Sequence, residues 1–190
     1  MPKNIAIFAS GSGSNAENII RYFQNKGVFN FPVIISNRSD AYIHQRAESL
    51  NIKSITCSRK DFETGDSVLE LLRGYQVDII VLAGFLLKVP ELLVDAFPNR
   101  IINIHPALLP KYGGKGMYGD HVHRAVRASG DTESGITIHF VNNKYDEGNI
   151  IFQAKCPVLP GDTPADVAKK VHALEYEWFP KIIERVVNSL

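Results

Sequence analysis

The chain has 190 residues, with 21 basic and 20 acidic side chains and a formal charge of +1. That length suits one sizeable core, and the balanced, interspersed charge lacks the basic stripe a nucleic-acid binder needs. No apolar run approaches a membrane span and no signal region precedes the first strand, while Cys57 and Cys156 fit no ligand or redox spacing. A cytoplasmic protein with reduced thiols, no membrane partner and no nucleic-acid partner is expected.

In chain order, Ile5–Phe8, Pro32–Ile35 and Ile79–Leu82 are apolar without alternation, as strands buried on both faces of a parallel sheet are. Residues 15–25, 40–50 and 66–75 carry helical spacing between them. The expected fold is α/β: a single-domain, Rossmann-like, mostly parallel twisted sheet flanked by helices. Ligands of such sheets bind at the carboxyl ends of the strands. The run from Ser10 to Glu17 follows the first strand and is glycine-rich. Ser14 and Glu17 have the spacing of a capping box, and glycines beside a helix start suit a phosphate. A turn that merely joins strand to helix is the alternative. Gly11-x-Gly13-x-x-Ala16 also matches a loose dinucleotide fingerprint, yet the second strand ends in Ser36-Asn37-Arg38 without the acid an NAD ribose wants. No Gly-Lys-Ser/Thr follows, so it is not a P-loop.

Further along, Asn103 and His105 sit two residues apart on the apolar run Ile101–His105, and i, i+2 spacing puts them on one strand face. Pro106 and Pro110 bracket the next loop and end the ladder, which places the pair at a cleft rim. A turn-capping asparagine and a satisfied histidine are the plainer reading. The strand predicted over 136–141 delivers Asp146 into the polar loop Tyr145-Asp146-Glu147-Gly148, a carboxylate that complements the pair. A strand over 150–155 follows. The last helix begins near Thr163-Pro164, an N-cap followed by proline at the first helical position. Val167, Val171, Leu174, Trp178, Ile182 and Val186 make its core stripe, and Pro180 is expected to kink it. His121-x-His123 lacks further ligands, so no metal is expected. His139 reads equally as support for Asp146 or as a structural hydrogen-bonder; His44 and His172 read as structural or solvated.

Taken together, Gly11-Ser12-Gly13-Ser14-Asn15, Leu82-Ala83-Gly84-Phe85, Asn103-Ile104-His105-Pro106-Ala107-Leu108-Leu109-Pro110 and Asp146-Glu147-Gly148 resemble the folate-dependent formyltransferases over essentially the whole chain. The likeness is strongest to the purine-synthesis branch of that family. It implies one formyltransferase domain over residues 1–190, with a nucleotide-phosphate-binding half at about 1–100 and a catalytic and folate-binding half at about 80–190. It implies transfer of a formyl group from 10-formyltetrahydrofolate, a co-substrate, to the amine of glycinamide ribonucleotide. Asn103, His105 and Asp146 are then the catalytic trio. Gly13, Ser14 and Asn15 hold the substrate's phosphate and Glu175 reaches its ribose. Leu86, Leu87, Lys88 and Val89 grip the pterin together with Asn103, and Arg59 belongs to the same ligand site.

Three features depart from the family pattern: Leu87 stands where an arginine is common, the chain after Ile52 is shorter, and the run from Gly113 to His121 is longer. Family members that formylate an aminoacyl-tRNA, or hydrolyse formyl-folate, carry additional domains, and the length here points away from both. A non-catalytic nucleotide-binding module leaves Asn103, His105 and Asp146 unexplained. Monomer and homodimer both stay open. Chemically, Asn103 offers a neutral donor to an oxyanion and a cationic His105 a stronger one. A neighbouring Asp146 is expected to raise the imidazole's pKa.

Overall fold

The computed structural model describes residues 2–190, which form two compact units, one reaching to Asn103 and including Leu190, the other spanning Ile104–Ser189. In the first, the apolar runs become β1 (Lys3–Phe8), β3 (Ile34–Ser36) and β5 (Ile79–Leu82). Two strands too short to show a period, β2 (Phe29–Asn30) and β4 (Ser54–Thr56), join them, with β6 (Ile101–His105) at the end of this part. The strand order is β4-β3-β1-β5-β6, with β2 also beside β1, and each of these pairings is parallel. Because the chain works outward from β1 on one side and then restarts at β5 on the other, the order switches between β1 and β5. The loops leaving those two strands therefore flank the crevice where such sheets take ligands.

The predicted helices are α1 (Ser14–Phe23), α2 (Ile43–Ser49) and α4 (Asp66–Gly74), and the short α3 (Asp61–Thr64) and α5 (Glu91–Ala96) are additional. Helix α1 buries Ala16, Ile19, Ile20 and Phe23, the three-and-four spacing of an amphipathic stripe.

In the second unit β7 (Glu133–Phe140) lies between the end of β6 and β8 (Ile150–Pro157), and pairs antiparallel with β8. Helices α6 (Asp120–Ser129) and α7 (Pro164–Val187) complete it. Thr163 caps α7 as expected, in a full capping box with Asp166, and Pro164 follows. The helix continues through Pro180. Its buried face holds Val167, Val171, Ile182 and Val186, as expected, but runs through Glu175, Phe179, Ile183 and Val187 rather than Leu174 and Trp178. A pattern of apolar residues alone does not mark the buried Glu175, which shifts the middle of the stripe by one position. The architecture is thus α/β with a mostly parallel sheet flanked by helices. Among the described residues no helix is long and apolar enough to cross a membrane. Both cysteines are buried free thiols, and burial, helped by the Asp61 charge, pushes Cys57 up to about 11.

Candidate active site

The glycine-rich loop after β1 is shaped by α2. The Ile43 N–H donates to Gly11 O at 3.1 Å, and Arg46 Nε donates to Ser12 O at 2.7 Å. With those carbonyls drawn toward α2, the loop's remaining dipoles and the start of α1 present the positive end that suits an anion. The capping box expected from Ser14 and Glu17 does not form: Gly13 is the N-cap, in the left-handed region, with no side-chain cap bond. Glu17 instead pairs with Arg21 and Arg46, and these contacts hold its carboxyl below the usual range against the opposing effect of burial. Gly13 has φ +73°, and a Cβ there would lie 2.2 Å from Ile43 Cδ1, so α2 fits against this loop only if the residue is glycine.

After β5, Leu86 is 46 % exposed and Val89 is 3 % exposed, while Leu87 is half-buried and Lys88 exposed. The buried Val89 side chain faces the core, so only its backbone can meet a ligand. Arg59 is exposed just before α3.

In the second unit, buried Thr137 clips the loop after β6 onto β7. Its hydroxyl donates to Ala107 O at 2.7 Å and accepts the Leu109 N–H at 3.0 Å and Gln153 Nε2 at 2.9 Å. A buried hydroxyl so fully satisfied rigidifies its surroundings and fixes the loop that follows His105. At the far end of β7 the pairing slips: Ile138 faces Phe152, but His139 faces Ile150. Such a bulge re-aims a side chain. The chain then returns so close to β7 that a Cβ on Gly148 would fall 1.6 Å from Phe140 O; only glycine allows the turn that carries Asp146.

These devices place Asp146 between two buried imidazoles. Its Oδ2 is 3.6 Å from His105 Nδ1 and its Oδ1 is 3.7 Å from His139 Nε2. Each ring gives its other N–H to a backbone carbonyl: His105 Nε2 to Tyr112 O at 2.6 Å and His139 Nδ1 to Phe140 O at 2.8 Å. In that tautomer each ring can donate to Asp146 only when doubly protonated. The Gly114 N–H supplies Asp146 with a donor that needs no proton, at 2.9 Å. Burial alone would raise the Asp146 pKa, but His139, the Gly114 N–H and the His105 charge outweigh it and hold the carboxyl below its usual range. Asp146 raises the His105 pKa as expected, but the net shift runs the other way and does not favour the cationic ring. Burial pulls its pKa below the ordinary 6.5, and the opposing pull of Asp146 and of the Tyr112 carbonyl is the weaker effect. That balance favours the uncharged ring, whose N–H faces the Tyr112 carbonyl.

Glu175, 4 % exposed, accepts a hydrogen bond from His172 Nδ1 at 2.9 Å, and its charge is felt at His105. That bond raises the His172 pKa, so His172 is a partner of Glu175 and not simply solvated. His44 is structural: its ring meets Ser54 Oγ and the Arg38 carbonyl. His139 stands beside Asp146 and also anchors backbone, so both of its sequence readings hold. Sequence reasoning missed the Tyr112 carbonyl, the Gly114 N–H and Arg46. The glycine run 113–116 was the available sign for the first two, and nothing local marked Arg46.

Residues 3–183 match the formyl transferase family, and the chain belongs to it. The relatives it resembles include phosphoribosylglycinamide formyltransferases. The chloroplastic enzyme of Arabidopsis thaliana is 41 % identical over 98 % of this chain, which spans 66 % of that relative's length. The Haemophilus influenzae enzyme is 37 % identical, over 96 % of this chain and 86 % of its own. The crystal structure of the Anaplasma phagocytophilum enzyme is similar with a TM-score of 0.90 at 31 % identity, covering 100 % of this chain and 89 % of that one.

Proposed function

We propose that this chain is a phosphoribosylglycinamide formyltransferase, moving the formyl group of 10-formyltetrahydrofolate to the amine of 5'-phosphoribosylglycinamide in de novo purine biosynthesis. The observation that carries the reading is the 3.6 Å approach of Asp146 to His105, on the strand that also bears Asn103. A mere nucleotide-binding module has no use for that arrangement.

Attack of the amine on the formyl carbon moves a π pair onto the formyl oxygen. The Asn103 amide and the His105 N–H are the donors that stabilise this charge. The attacking nitrogen sheds a proton and the folate nitrogen gains one as the carbon–nitrogen bond to folate breaks. Asp146, anionic across the neutral range, draws the first proton into the network. The His105 Nε2–H meets the Tyr112 carbonyl in this structure, so the formyl oxygen competes with that carbonyl for it. Gly13, Ser14 and Asn15 take the phosphate and Glu175 the ribose. Leu86–Val89, Arg59 and Asn103 take the folate, the folate segment doing so chiefly through backbone, so that Leu87 in place of arginine is tolerated.

The test is the absorbance change on folate release, followed with and without glycinamide ribonucleotide. Release that requires the ribonucleotide supports transfer; release in its absence points to a hydrolase, and no release with intact nucleotide binding points to a binding module.

A further inference from the structure

The polar groups of the switch-point crevice meet at one buried hydroxyl. Ser10, 1 % exposed, is the first residue of the glycine-rich loop. Its N–H donates to Gly84 O at 3.0 Å. Its Oγ donates to Asn37 Oδ1 at 2.5 Å and accepts the Leu86 N–H at 2.9 Å. The loop after β1, the end of β3 and the segment after β5 thus share one side chain. Its single proton is committed to Asn37, which leaves a lone pair aimed at Leu86. A hydroxyl that donates also accepts more strongly, so Asn37 strengthens the hold on Leu86. Alanine at position 10 would leave the Leu86 N–H and the Asn37 carbonyl without this partner at a part-buried place, the loss of two hydrogen bonds.

We infer that Ser10 is a positioning residue that couples the two substrate subsites, the phosphate loop 11–15 and the folate segment 86–89, so that filling one orders the other. This rests on the assignment of those segments under Proposed function. By linkage the coupling is reciprocal.

Hydrogen exchange read by mass spectrometry, on the whole chain, tests it. In the unaltered protein glycinamide ribonucleotide is expected to slow exchange over 11–15, tetrahydrofolate over 84–89, and each ligand also to slow the other's segment. In Ser10→Ala each ligand is expected to protect only its own segment. KM for both substrates is expected to rise about tenfold, while kcat changes much less, an effect of the size of one lost hydrogen bond. Asn37→Ala, which alters a half-buried position and opens no cavity at Ser10, is expected to reproduce the lost cross-protection, and serves if Ser10→Ala does not fold. Cross-protection and unchanged KM values in both variants overturn the coupling. If tetrahydrofolate protects nothing in 84–89 of the unaltered protein, the subsite assignment itself is wrong and the coupling goes with it.

Discussion

At the scale of single residues, the chemistry turns on where protons sit. His105 combines deep burial with the charges of Asp146 and, more weakly, Glu175, and burial wins, so its ring is expected to titrate below 6.5 in the folded chain. NMR titration of the imidazole checks this. Asp146→Asn removes the charge that opposes burial, so the His105 titration is expected to move lower still, and a rise would refute the balance drawn here. In the same variant formyl transfer is expected to fall by about a hundredfold or more, the scale of a lost acid–base group, with the fold retained. Near-normal turnover would remove Asp146 from the reaction. Asn103→Ala takes away one oxyanion donor and is expected to cost about a hundredfold in kcat; a change of a few-fold would put the donor elsewhere.

Among the elements, the phosphate loop depends on a fit between α1 and α2 that the sequence reveals only partly. Gly13→Ala is expected to cost about 2 kcal/mol, from a left-handed backbone that resists a side chain and from the clash with Ile43. It is expected to weaken glycinamide ribonucleotide binding as well. Urea unfolding and calorimetric titration read the two effects, and a neutral substitution would show that α2 can retreat. The capping box failed for a related reason. Ser14 and Glu17 have the right local spacing, but Glu17 is claimed by Arg46, 29 residues away, a partner no local window contains. Thr163 and Asp166 have the same spacing and no such competitor, and their box forms. Asn103 and His105 are legible as candidates because polar residues at an apolar strand end stand out against the hydrophobic pattern, and Asp146 because it is a carboxylate in the polar loop after β7. The Tyr112 carbonyl and the Gly114 N–H are not, because backbone groups carry no sequence signature beyond the glycines that admit them. Strands β2 and β4 are too short to display a period.

For the whole molecule, the buried imidazoles set the response to acid. His105 and His123 both have pKa values lowered by burial, so between their folded and unfolded values the unfolded chain binds more protons. Stability is then lost as pH falls through 6.5 toward the folded values. Asp146 adds to the loss lower down, as pH falls through its depressed folded pKa. His172, raised by Glu175, has the opposite sign: its contribution is present in acid and fades as pH rises through its folded value. Two histidines and Asp146 against one predict a melting temperature that drops on acidification below about pH 6.5, and His123→Leu is expected to flatten that drop. A melting temperature that climbs instead would reverse the sign assigned to the buried pair.

All of these effects serve one claim, that a formyl group moves between two small molecules at His105 and Asp146. The most direct measurement follows an isotopic label on the formyl carbon of 10-formyltetrahydrofolate by mass spectrometry. The label is expected in the ribonucleotide product with the unaltered chain, and to be nearly absent there with Asp146→Asn. Label recovered as free formate, or an equal yield of labelled product from both proteins, would contradict it.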